Sequence, residues 1–107
     1  ENMPAKEGEG ILACLEKKDF VVVCDERGRS SGSLKFAQNL RQWQDAAQRV
    51  NFVVGGAYGL SDKVRARANV LVKLSDFTLP HELARVFLLE QTYRAFTILA
   101  GKAYHHD

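Results

Sequence analysis

Three short, unbroken apolar runs punctuate this chain. Phe20-Val21-Val22-Val23-Cys24 stops abruptly at Asp25-Glu26-Arg27-Gly28-Arg29. Val50 to Val54 stops at Gly55-Gly56, and Val70-Leu71-Val72-Lys73-Leu74 stops at Ser75-Asp76. A run apolar at every position has both faces covered, as strands of a parallel sheet do between layers of helices. The segments between the runs carry helical patterns instead. Glu7 to Lys18 reads as one helix. After the loop Ser30 to Ser33, with Ser33 as the N-cap, a second helix sets Leu34, Ala37, Leu40, Trp43 and Ala47 on one face. Ser61-Asp62 caps a short helix through about Ala68.

From about His81 to Ala100 a long helix is apolar almost all round, with Leu83, Val86, Phe87, Leu88, Leu89, Phe96, Ile98 and Leu99. Such a helix is buried on more than one side. In a domain of this size a subunit interface is the expected cover, so the chain is read as a homodimer. Gly101 is a natural stop signal for that helix.

Helices alternating with strands predict an α/β fold, a mostly parallel sheet flanked by helices, built as one domain over residues 1–107. Ligands of such sheets bind beyond the carboxyl ends of the strands. Those ends are Cys24-Asp25, Gly55-Gly56 and Ser75 to Pro80, three loops expected along one edge.

Composition narrows the picture only a little. Hydrophobic residues make up 46% of the chain, which excludes disorder, and the formal net charge of +2 is too mild to establish nucleic-acid binding. Local clusters say more: Arg27 and Arg29 flank Gly28, and Lys63, Arg65 and Arg67 recur at every second position. Cys14 and Cys24 fit no metal spacing and are expected as free thiols of a cytoplasmic protein. No apolar run approaches the ~20 residues a membrane span needs. Glu1-Asn2-Met3-Pro4 has no initiator methionine at position 1 and reads as the interior of a longer protein.

The chemistry carried by the loops is open when each is read alone. Gly55-Gly56-Ala57-Tyr58-Gly59 permits close backbone approach to a ligand or simply makes a tight turn. It lacks the Lys and Ser/Thr of a P-loop, and Val54 stands where a dinucleotide-binding fingerprint would need glycine. Ser75 to Pro80 offers side chains for hydroxyls, an amine or an adenine edge, or is an ordinary polar loop. Glu90, Tyr93 and Arg94 share a helical face at i, i+3 and i+4. Tyr104-His105-His106-Asp107 is either a frayed terminus or an aromatic and imidazole pair for a nucleotide. No metal site is expected.

Taken together and in order, these segments resemble the SPOUT superfamily of knotted methyltransferases. The particular match is to the pseudouridine N3-methyltransferases of large-subunit ribosomal RNA. The resemblance rests on Asp25-Glu26-Arg27-Gly28, Gly55 to Gly59, Leu79-Pro80-His81 with Arg85, Glu90 to Ala95, and Ala103-Tyr104-His105-His106. It implies a C-terminal trefoil knot and S-adenosylmethionine bound by Cys24, Gly56, Ser75, Asp76, Phe77, Thr78, Leu79 and Pro80. Within that reading, Tyr104 and His105 are expected at the target nucleotide, with Arg27, Arg94 and His106 on the RNA. Leucine is usual at Cys24, proline is frequent at Ala57, and Ala103 replaces a usual proline. Family members begin with roughly fifty further residues. The competing readings are a non-catalytic RNA- or ribosome-binding relative of the same fold and a dinucleotide-binding enzyme.

Overall fold

A computed structural model describes residues 3–55 and 59–101, with side chains from Lys6 onward. Its elements are α1 (Met3–Cys14), β1 (Phe20–Arg29), α2 (Ser33–Ala46), β2 (Val50–Val54), α3 (Asp62–Arg67), β3 (Val70–Val72) and α4 (His81–Leu99). The three strands form one parallel sheet in the order β2-β1-β3.

Alternation along β1 explains the three layers. Phe20, Val22 and Cys24 face α2 and α4, whereas Val21 and Val23 face α1 and α3. On the first face Trp43 stacks on Phe20 with centroids 5.8 Å apart, and Phe36 and Phe52 meet its edges at 6.0 and 6.2 Å. On the other face Val64 of α3 is fully buried against Val21, Val23 and Val53. All three valines of β1 are therefore inaccessible, as a continuous apolar run requires.

A polar knot ties the amino ends of the strands. The buried Asp19 accepts the Glu16 N–H (2.9 Å), the Arg49 guanidinium (2.7 Å) and the Asn51 amide (3.0 Å). Its carboxyl is held below the ordinary carboxylate value, first by the Arg49 hydrogen bond and then by the Glu16 N–H. Arg67 joins the same end by donating to the Glu16 and Asp19 carbonyls at 2.8 and 3.0 Å.

Several local expectations change. α1 begins and ends earlier than expected. The N-cap of α2 is Gly32, not Ser33, whose hydroxyl instead donates to Gln91 Oε1 of α4 at 2.8 Å. Leu34 is exposed, and Phe36 takes its place in the buried face. β3 is shorter, ending at Val72, and β1 is longer, running on to Arg29. Ser61 does cap α3, accepting the Val64 N–H at 3.3 Å. Gly101 follows α4 at φ 72°, the left-handed conformation that suits glycine.

Candidate functional site at the carboxyl edge of the sheet

Parallel register fixes where the loops leave the sheet. Cys24 pairs with Val54, the last residue of β2, on one side and with Val72, the last of β3, on the other. β2 and β3 therefore end side by side at the level of Cys24, beyond which β1 bulges out before its own end at Arg29. The expected convergence of Cys24-Asp25, Gly55 and the loop from Lys73 to Pro80 is thereby observed.

Cys24 itself is half-buried in the α2/α4 face, and burial pushes its thiol up to about 12. It is a packed, protonated wall rather than a nucleophile. One residue on, alternation turns Asp25 towards α3, where its nearly buried carboxylate accepts Arg65 Nε at 2.6 Å. Arg65 also reaches Asp62 at 3.1 Å, and the Asp25 hydrogen bond holds its guanidinium firmly protonated. Thus β1's exit is bonded to the helix that follows the glycine loop. Of the basic trio read from sequence, Arg65 and Arg67 serve the fold, and only Lys63 is exposed.

Beyond Cys24 the chain leaves the β3 ladder and rejoins it at Arg29, which pairs with Val72. The Lys73 N–H donates to the Arg29 carbonyl at 3.0 Å. Gly28 makes this return possible. A Cβ there would lie 2.5 Å from the Leu71 carbonyl carbon and 2.6 Å from Val72 N. Arg27 and Arg29, on either side, are exposed.

The loop after β3 is held at both ends. Lys73 pairs with Asp76 at 3.0 Å, and the Phe77 N–H donates to Ser75 Oγ at 3.0 Å. Pro80, at φ −58°, starts α4, and its carbonyl accepts the Ala84 N–H at 2.8 Å. Asp76, Phe77 and Thr78 are exposed, and Ser75 and Leu79 are half-buried. Farther along α4, Glu90 and Arg94 form an i, i+4 pair at 3.0 Å. Gly56, Tyr104, His105 and His106 lie outside the described residues. An open groove of about 510 Å³ runs along β2 up to Val54, between Ile11 of α1, Leu15 just beyond it and Arg85 of α4.

The sequence model of the family described as "Predicted SPOUT methyltransferase" matches residues 1–105. The chain belongs to the SPOUT methyltransferase family. Its three-stranded parallel sheet flanked by helices is consistent with the SPOUT α/β fold. Curated SPOUT relatives include a protein named ribosomal RNA large subunit methyltransferase H from Oleidesulfovibrio alaskensis. It is 50% identical over 103 residues, which are 95% of this chain and 66% of that protein. The protein of the same name from Maridesulfovibrio salexigens is 45% identical over 101 residues, 94% of this chain and 65% of its own length. A third, from Geotalea daltonii, is 46% identical over 107 residues, 99% of this chain and 70% of its own. The chain spans 65–66% of the length of the first of these relatives.

Proposed function

We propose that this chain carries the cofactor edge of an S-adenosylmethionine-dependent methyltransferase acting on N3 of a pseudouridine in large-subunit ribosomal RNA. The observation that carries the reading is the side-by-side arrival of Cys24 in β1 and the ends of β2 and β3 at one edge, each leading into a family motif. Relatives at 45–50% identity named for large-subunit ribosomal RNA methylation support the substrate class. The donor set suits the cofactor: Asp76, Ser75 and Thr78 can take an amine or hydroxyls, and Cys24 offers an apolar wall. When bound, S-adenosylmethionine supplies a methyl group already activated on sulfonium.

The residues of this chain then do positioning work. Asp25 and Arg65 fix β1's exit against α3, and Pro80 fixes the loop of Ser75, Asp76, Phe77, Thr78 and Leu79 at the start of α4. Gly56 leaves room for the ligand. Tyr104 and His105 hold the target uracil ring and assist departure of its N3 proton, while Arg27, Arg94 and His106 meet the RNA backbone. The active form in this reading is a cytoplasmic homodimer. Leu83, Val86, Leu89, Tyr93 and Phe96 form a stripe on α4 that is 46–70% exposed in the single chain, opposite the buried Ala84, Leu88 and Ala95.

Calorimetric titration tests the reading. S-adenosylmethionine binds, NAD does not, and Gly56→Val removes the binding while the far-ultraviolet spectrum stays native. Transfer of tritiated methyl groups to ribosomes completes the test. Absence of cofactor binding by the unaltered protein would sink it.

A further inference from the structure

We propose that Phe77 and Arg29, with Arg27, form a docking edge for a single-stranded RNA segment, Phe77 stacking on a base and the arginines meeting the phosphates that flank it. This deepens the methyltransferase reading, rests on it for the identity of the RNA, and gives the Phe77 side chain to the RNA rather than to the cofactor. Phe77 is 82% exposed, the most exposed large apolar side chain among the described residues. Nothing in the fold needs it there, because its loop is held by backbone and polar groups: Ser75 Oγ, the Lys73–Asp76 pair and Pro80.

The second component is rigidly attached to the same loop. The Arg29 carbonyl accepts the N–H of Lys73, four residues before Phe77. Gly28 lies flat against the β3 backbone with no room for a side chain, so residues 27 and 29 alternate away from it into solvent. Charge on this edge comes from these two arginines against the exposed Glu26, with the exposed Glu82 and Arg85 following near the start of α4. Lys73 is matched by Asp76 and Asp25 by Arg65. A bare ring on a loop bonded to the strand that carries two exposed arginines is the combination that stacks a base and neutralises its phosphates. A protein partner would call for an apolar surround, which belongs instead to α4.

The test uses fluorescence anisotropy of the protein with a fluorescein-labelled, uridine-rich single-stranded RNA at several salt concentrations. Phe77→Ala and Phe77→Leu weaken binding about 10- to 100-fold with an unchanged salt slope, and Phe77→Trp restores it. Arg27→Gln and Arg29→Gln each lower the slope of log affinity against log salt by about 0.7. Wild-type affinity in Phe77→Ala overturns the proposal. So does loss of S-adenosylmethionine affinity in that variant with RNA affinity intact, which assigns the ring to the cofactor. A shift in sedimentation coefficient with RNA affinity intact assigns it to a partner subunit and overturns the proposal as well. An unaltered protein that binds RNA through these residues but no S-adenosylmethionine sinks the methyltransferase reading and leaves the RNA edge standing.

Discussion

Replacing Gly28 with alanine adds one methyl group at the point where β1 crosses back onto β3. That carbon would sit 2.5 Å from the Leu71 carbonyl carbon and 2.6 Å from both Leu71 O and Val72 N, where ordinary contact begins at 3.4 Å. The overlap is roughly 0.8–0.9 Å against three backbone atoms. No side chain can rotate to relieve it, so the strands themselves must part. Overpacking of this kind costs about 1–3 kcal/mol. Parting also stretches the 3.0 Å hydrogen bond from Lys73 N to Arg29 O, worth about 0.5–1.5 kcal/mol. The expected destabilisation is about 2–4 kcal/mol, a large fraction of what a small domain has in total.

Urea unfolding followed by the fluorescence of Trp43, the one tryptophan, measures it directly. Gly10→Ala in α1 is the control, since nothing lies within 4 Å of its added Cβ and alanine is the better helix former. That variant should gain about 0.5–1 kcal/mol. If Gly28→Ala unfolds at the wild-type urea concentration, β1 does not pack on β3 as described, and the rigid placement of Arg27 and Arg29 falls with it.

Asp19→Asn should destabilise the protein at neutral pH, and the gap from wild type should close in acid. The folded carboxyl titrates below its ordinary 3.8, so its contribution is complete above that value and vanishes as pH falls through the folded one. Thermal melts at pH 3 and 7 decide, and a gap as wide at pH 3 would refute the role given to Arg49. Arg65→Met should cost about 3–5 kcal/mol by stranding the nearly buried Asp25, with Asp25→Asn/Arg65→Met recovering part of the loss. Equal melting temperatures for the single and double variants would refute the coupling. Iodoacetamide at pH 8 should label exposed Cys14 and spare Cys24, whose thiol burial holds near 12; mass spectrometry showing equal labelling would refute the packing.

What the sequence made legible was whatever repeats at short range. The apolar runs revealed the strands, their faces and their common carboxyl edge, because a parallel strand buried on both sides has no polar period. At α2 the expected face holds at Ala37, Leu40 and Trp43 and fails at Leu34, for an equally local reason. At 100° per residue Leu34 lies about 120° from Leu40, while Phe36 lies within about 40°. An i, i+3 step back from Ala37 reaches Leu34, but the buried stripe turns through Phe36 instead. The ion pair from Asp25 to Arg65 spans 40 positions, and the bond from Arg49 to Asp19 spans 30. No periodicity signals either, so Lys63, Arg65 and Arg67 looked like one basic tract when two of the three are consumed by folding.

That consumption bears on how a chain of net charge +2 can meet RNA. Arg49, Arg65 and Arg67 are tied to carboxylates or carbonyls, and Lys73 to Asp76. Arg94 keeps its pair with Glu90 on α4 and in the proposed function would meet RNA from within that pair. Exposed arginine near the carboxyl edge is therefore Arg27, Arg29 and, near the start of α4, Arg85; the first two owe their position to a glycine. The same economy governs the loop after β3, the cofactor loop of the proposed function. One end is set by the Lys73 N–H on β1 and the other by Pro80, from which α4 and its apolar stripe begin. A second copy covering that stripe would stiffen α4 and hence the loop at its head. A homodimer would in this way couple assembly to cofactor binding without a partner side chain entering the pocket, and the coupling would act equally in both directions.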